Sequence, residues 1–134
     1  MKALTVRQPY ADAIIHGTKR VENRTQRPPA DVLGRLILIH AGLEPHASGV
    51  TAADFTDEQW PDVRGAIIGM AKLTGCHLET DGCCVPWGMA GHWHWELDKV
   101  SALRPVPAKG KLGLWNPEQS VLGDVQVQFW DPCP

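Results

Sequence analysis

The sequence predicts an α+β fold that is mainly β: a closed or nearly closed β-barrel with short flanking helices. Three observations predict it. Short apolar or alternating segments recur at residues 2–7, 20–24, 36–41, 66–73, 92–97 and 125–129, separated by turn residues. Helical spacing is confined to two brief stretches, after Pro9 and after Thr51. The chain has 134 residues, 43% apolar and 21% charged, which suits one domain spanning 1–134 around one core rather than a disordered segment.

The elements follow in order. Residues 2–7 alternate as a first strand. Pro9 suits the first turn of a helix, where its missing N–H costs nothing. Tyr10, Ala13 and Ile14 share one face of that helix, and Gly17 is expected to close it in a left-handed conformation. Free N–H groups from Gln8 to Ala11 would face an anion. Residues 20–24 form a strand on which Glu22 and Arg24 point the same way. Thr25 to Gly34, with Pro28-Pro29, is a loop. Leu36 to Ala41 and Ala66 to Leu73 are apolar on both faces and read as buried strands. Between them, Thr51-x-x-Asp54 is a capping pattern that opens a helix to Gln59, before Trp60-Pro61. Asp81 to Gly91 is a loop of Gly, Cys and Pro. His92, His94 and Glu96 then face one way on a strand, with Trp93, Trp95 and Leu97 opposite. Val125 to Phe129 alternates and would end the barrel.

Net charge is 13 − 15 = −2, which excludes a protein that coats DNA by bulk charge. The distribution says more. Residues 42–62 hold five acids and no Lys or Arg, whereas 99–111 hold four bases and no acid. One basic face on a nearly neutral protein is therefore open, and the acidic segment 44–62 is a candidate protein contact. No apolar run approaches the ~20 residues that span a bilayer, and Arg7 and Asp12 interrupt any leader pattern. A soluble cytoplasmic protein is expected, with no membrane partner. Cys76, Cys83, Cys84 and Cys133 do not make a secreted disulfide framework.

Three constellations carry chemistry. Lys19, Glu22 and Arg24 sit around the helix-to-strand turn, with Arg20 beside them. Arg24 offers a planar fork to phosphate, Lys19 a compact charge, and Glu22 can orient either; the bland alternative is a surface ion-pair ladder. Arg7, Gln8 and Tyr10 lie at the strand-to-helix junction. Gln8 has the paired donor and acceptor that reads a base edge and Tyr10 a stacking face, or else Gln8 caps the helix and Tyr10 packs in the core. Arg104, Lys109 and Lys111 flank Gly110, where the backbone can approach a phosphate; an ordinary solvated loop is the alternative. Trp87, in the loop, is the stacking candidate, while Trp93, Trp95, Trp115 and Trp130 read as packing. Cys83, Cys84, His92 and His94 invite a zinc reading. Adjacent cysteines rarely share one ion, however, and there is no Cys-x-x-Cys, so no metal and no cofactor are expected. His40 and His77 read as satisfied strand-end histidines. No Walker loop, Rossmann fingerprint or Gly-x-Ser-x-Gly elbow occurs.

Arg7-Gln8-Pro9-Tyr10 followed by Gly17, Lys19, Glu22 and Arg24 closely resembles the ASCH domain, a branch of the PUA-like β-barrel superfamily. Later segments resemble it in order: Arg35 to Ala41, Gly65 to Gly69, Cys84-Val85-Pro86-Trp87 before His92 to Trp95, and Pro105 to Lys111 before Leu114-Trp115. The resemblance implies a PUA-like fold and binding of RNA, or in some members DNA, in a basic cleft lined by this motif. It also implies an alternative, a small hydrolase, since some ASCH proteins deacylate cytidine nucleosides and others are ribonucleases. In the deacylating branch a threonine nucleophile follows the motif lysine by three positions. Here that position is Glu22, with Thr18 and Thr25 out of register, which leaves Lys19 and Glu22 as the catalytic candidates. The nucleic-acid reading requires Lys19 and Arg24 to share one phosphate-sized recess.

Overall fold

A computed structural model describes residues 1–129. Trp130 and Cys133 lie outside the described residues. The strands are β1 (Ala3–Val6), β2 (Val21–Arg24), β3 (Leu36–Ala41), β4 (Ala66–Leu78), β5 (Trp93–Pro107) and β6 (Leu114–Trp115), and the helices are α1 (Tyr10–Ile15) and α2 (Gln119–Gln126). All six strands make one sheet in the order β2-β5-β4-β3-β1-β6. β1 and β3 are parallel and every other neighbouring pair is antiparallel.

β4 and β5 are the frame. They pair along nearly their whole lengths, and the register shifts at Ile67/Gly69, Met70/Lys72 and Leu73/Gly75. Such irregularities bend a strand and raise its twist, and the sheet curls into a half-barrel. Both strands outrun the apolar stretches that announce them, because each supplies the other with ladder partners beyond the core. Pairing leaves β2 and β6 as edges, and because the two-residue β6 covers only Ala3 and Leu4 of β1, an open seam separates β2 from the rest of β1.

β3 explains why the chain buries two faces. Ile37 and Ile39 join Leu4, Ile14, Ile15, Leu73, Trp95 and Leu97 on the α1 side. Leu38, pointing the opposite way, joins Ile67, Met70, Val106 and Trp115 with Val125 of α2. Each fully buried aliphatic side chain contributes about 1.5–3 kcal/mol, so the two clusters together hold the half-barrel between its helices. Among the described residues no helix is long and apolar enough to cross a membrane.

Three local expectations need correction. Val125 to Phe129 is not a strand: α2 runs to Gln126, because Val121, Leu122 and Val125 form a helical stripe against the sheet. Alternation would have buried Val127 and Phe129, which are 61% and 54% exposed. The stretch after Thr51 is a single 3-10 turn at Ala52–Asp54. Its capping box forms, with Thr51 N–H donating to Asp54 Oδ2 at 2.8 Å, yet residues 56–59 offer no apolar face to propagate a helix. Gly17 is not left-handed. A Cβ there would meet the Trp60 ring at 2.9 Å, so the glycine admits Trp60 against the end of α1.

Candidate functional site

The strand period places Glu22 and Arg24 on the same face of β2, and the turn after α1 delivers Lys19 to them. Lys19 is 1% exposed. Its Nζ donates to the Val21 carbonyl and to Glu22 Oε1, the latter at 3.2 Å. Arg24 Nη2 donates to Glu22 Oε2 at 2.8 Å and to the Thr5 carbonyl at 2.9 Å. Glu22 is therefore gripped through both oxygens by two cations, which satisfies the carboxylate and leaves the trio at net +1. Arg24 Nε is buried without a partner.

This trio forms part of the wall of a cleft of about 300 Å³ at the seam. Four cations (Arg7, Lys19, Arg24 and Lys111) and one carboxylate, Glu22, line it. The other wall is aromatic. Tyr10, His46 and Trp87 line it, with Tyr10 meeting His46 edge-on at 5.0 Å between centroids; Phe55, outside the lining, backs them at 5.9 Å from Tyr10 and 4.7 Å from Trp87. Lys19 Nζ sits 5.8 Å from the Tyr10 ring centre, joining the two walls. Trp87 is held in place by Asn23: its side chain donates to the Trp87 carbonyl at 2.9 Å and accepts from Met89 N–H at 2.8 Å.

Of the residues singled out in the sequence, the cleft gathers Arg7, Tyr10, Lys19, Glu22, Arg24, Trp87 and Lys111. Gln8, Arg20, Arg104 and Lys109 are placed elsewhere. Gln8 is 1% exposed. Its Oε1 accepts from Asp12 N–H at 3.0 Å and its Nε2 donates to the Val63 carbonyl at 2.9 Å, so it is spent on seating α1. Tyr10 and Ala11 N–H groups turn to the Arg7 carbonyl, so the start of α1 presents no free row of donors. Arg20 reaches back to the carbonyls of Ile14 and Lys19, both at 3.0 Å, and closes the turn after α1. Arg104 belongs to β5, where Gln128 clamps its backbone N–H and carbonyl. Lys109 is exposed outside the cleft, and Gly110 packs on His40 rather than on a ligand: a Cβ there would lie 2.5 Å from the imidazole. His46, Phe55 and Asn23 were not singled out. The acidic segment that supplies His46 and Phe55 shows no spacing that would have revealed them.

Two other polar clusters lie outside this cleft. His40, 1% exposed, is oriented by the Ala108 carbonyl at 2.7 Å from Nε2 and by the Thr5 hydroxyl at 3.2 Å from Nδ1. Burial pushes its imidazole below the ordinary histidine value, opposed by the Ala108 carbonyl. The second cluster joins the loop after β4 to the sheet. His77 of β4, Cys83 and Cys84 of the loop, and His94 of β5 bring four ligand-type atoms within 4.8 Å of one another. Glu96 pushes His77 up, while the Thr80 backbone bond holds Cys83 below the ordinary thiol value and burial pushes Cys84 above it.

The family model described as the ASCH domain matches residues 4–105. Similar solved structures include the ASCH protein from Zymomonas mobilis, at 17% identity and a TM-score of 0.57, covering 94% of this chain and 93% of that one. Crystal structures of two single-residue variants of the Zymomonas mobilis protein match at 16% identity and the same TM-score, covering 94% and 95% of this chain and 96% and 94% of theirs. At that identity the likeness speaks for the fold, which is PUA-like. A search of curated proteins returns no match.

Proposed function

The chain belongs to the ASCH domain family, and on that premise we propose that it binds single-stranded nucleic acid, RNA or DNA, with one nucleotide seated in the seam cleft. The observation that carries the proposal is the meeting of the Lys19–Glu22–Arg24 trio with the Tyr10/Trp87 wall in one recess. A base presents a π-face to an aromatic wall whatever its identity, worth about 1–3 kcal/mol per base. Its phosphate is drawn to the exposed cations Arg7 and Lys111, while Glu22 keeps buried Lys19 and half-buried Arg24 from being naked charges. A volume of about 300 Å³ is at the lower end for ligand pockets and suits one nucleotide rather than a duplex.

With few phosphate contacts, affinity is modest and falls with salt by about 0.7 log units per log unit of salt for each phosphate contact on a single strand. Titration of short RNA and DNA of matched sequence, followed by tryptophan quenching across a salt series, tests this. Quenching that weakens with salt and is lost in Trp87→Ala supports it. No binding of either polymer at low ionic strength ends it.

A hydrolytic second reading rests on the buried Lys19–Glu22 contact of 3.2 Å at the cleft. Such a pair can carry a proton between substrate and leaving group. Turnover of RNA or of an acylated cytidine that disappears in Lys19→Ala would favour it over simple binding.

A further inference from the structure

We propose that His77, Cys83, Cys84 and His94 bind a single divalent transition-metal ion in tetrahedral geometry, with zinc the ion their chemistry fits best. The inference starts from where each imidazole spends its other nitrogen. His77 Nδ1 lies 3.0 Å from Glu96 Oε2, and His94 Nε2 lies 3.0 Å from the Met89 carbonyl. Both partners are acceptors, so both nitrogens carry the proton. The inward atoms, His77 Nε2 and His94 Nδ1, are then lone pairs that face each other at 3.2 Å. Two acceptors at that distance repel unless a cation, either a shared proton or a metal ion, lies between them, and the two sulfurs beside them favour the metal.

The sulfurs complete the set. Cys84 Sγ lies 3.3 Å from His77 Nε2, and Cys83 Sγ lies 3.6 Å from both His77 Nε2 and His94 Nδ1. A tetrahedral zinc with bonds of about 2.0–2.1 Å to nitrogen and about 2.3 Å to sulfur separates its ligands by about 3.4 Å for N···N and about 3.6 Å for N···S. The N···N separation of 3.2 Å and the three N···S separations of 3.3–3.6 Å lie close to these, and all four ligand atoms fall within 4.8 Å of one another. Outward hydrogen bonds from metal-bound imidazoles to a carboxylate and a backbone carbonyl are the supporting contacts such sites use to fix the tautomer.

The backbone is shaped for this convergence. Sequence spacing argued against adjacent cysteines, but Cys84 is held at φ 66°, a region that non-glycine residues rarely occupy. The reversal there aims both sulfurs at one point. Gly88 lets the loop lie directly on His94: a Cβ would come within 2.5 Å of the ring and 2.8 Å of the Cys83 carbonyl. His92, the partner suggested by strand alternation, instead turns its Nδ1 to the Ala90 carbonyl at 3.0 Å. The second imidazole comes from His77, across the β4–β5 ladder, where it pairs with His94. The ion would thus clip the loop to two strands, and binding would release two thiol protons to solvent.

The test is a titration of the reduced, full-length chain with Co(II) under anaerobic conditions. The expected result is the intense visible absorption of tetrahedral cobalt together with a thiolate-to-metal charge-transfer band, saturating at one ion per chain and displaced by Zn(II). The band should survive Cys76→Ser and Cys133→Ser and be lost in the Cys83→Ser/Cys84→Ser double variant. Weak octahedral absorption, no charge-transfer band, or loss of the band in Cys76→Ser or Cys133→Ser would overturn the site. The unmodified chain and these two control variants decide the question even if the double variant fails to fold.

Discussion

Arg24, on the edge strand β2, donates a hydrogen bond of 2.9 Å to the carbonyl of Thr5 on β1, across the seam where the sheet has no ladder. The same amino group holds Glu22 at 2.8 Å. One guanidinium therefore ties the two sides of the half-barrel together and arranges the charge in the cleft between them.

Loss of this tie should be felt in stability and binding at once. Arg24→Ala is expected to destabilise the fold by about 1–3 kcal/mol, the range for hydrogen bonds to charged groups with some screening at this half-buried position. Arg24→Lys keeps the charge and enough donors for both acceptors but on a shorter, unforked stem, so it should fall between wild type and Arg24→Ala. Urea denaturation gives the order, and titration with single-stranded RNA should reproduce it.

The buried pair behind Arg24 makes a second prediction. Lys19 is 1% exposed, and its one carboxylate contact among the described residues is Glu22 at 3.2 Å. Glu22→Gln strands the ammonium without a counter-charge, which costs about 3–5 kcal/mol in a buried setting. Replacing both, as Lys19→Met with Glu22→Gln, removes the stranded charge and should cost less than the sum of the two single changes. Additive losses in a denaturant cycle would show that the two residues act independently.

The residues that were legible in the sequence are those whose contacts are local. Glu22 and Arg24 share a strand face because the period is two, and Lys19 is one turn away. Gln8 and Arg20 carry suitable chemistry too, yet each meets a nearer backbone demand: the start of α1 takes Gln8, and its end takes Arg20. No local pattern signals such competition. The cleft's aromatic wall was partly visible, since Tyr10 and Trp87 stand in recognisable contexts while His46, and Phe55 that backs the wall, arrive from an acidic stretch that looks like plain surface. The β-rich architecture followed from alternation. Alternation failed at residues 125–129, where Val121 and Leu122 supply the helical stripe that Val127 and Phe129 cannot offset. Three residues of the proposed metal cluster, Cys83, Cys84 and His94, stood out in the sequence, but their convergence did not, because the other histidine sits across the ladder on β4 and the cysteines meet through a left-handed residue.

His40 gives the fold a pH dependence of definite sign. Its neutral imidazole is held between the Ala108 carbonyl and the Thr5 hydroxyl, and burial lowers its proton affinity. Its folded pKa is depressed relative to the unfolded chain, so the unfolded state binds the proton first on acidification. This contribution to stability is complete above the ordinary histidine value of about 6.5 and is lost as pH falls from there through the folded pKa, at no more than about 1.4 kcal/mol per pH unit. His40→Gln, which can keep one hydrogen bond without titrating, should flatten that part of the stability profile. An unchanged acid limb in the variant would assign the effect to another group.

Metal removal tests how the loop supports the cleft. Trp87 N–H donates to the Cys84 carbonyl at 2.9 Å, so the aromatic wall is one turn from the proposed ligands. Asn23 grips the same loop from β2 at the Trp87 carbonyl and Met89 N–H. Two anchors on one short loop should act in parallel. Chelation alone is expected to raise hydrogen exchange across residues 79–91 and to weaken RNA binding modestly, because Asn23 still holds Trp87. Asn23→Ala alone should do the same. Chelation of Asn23→Ala should release the wall altogether, and its affinity should approach that of Trp87→Ala, a loss on the order of 1–3 kcal/mol. Exchange mass spectrometry of the four states, with and without chelator, separates a loop pinned twice from one pinned by Asn23 only: in the second case chelation changes nothing in either background.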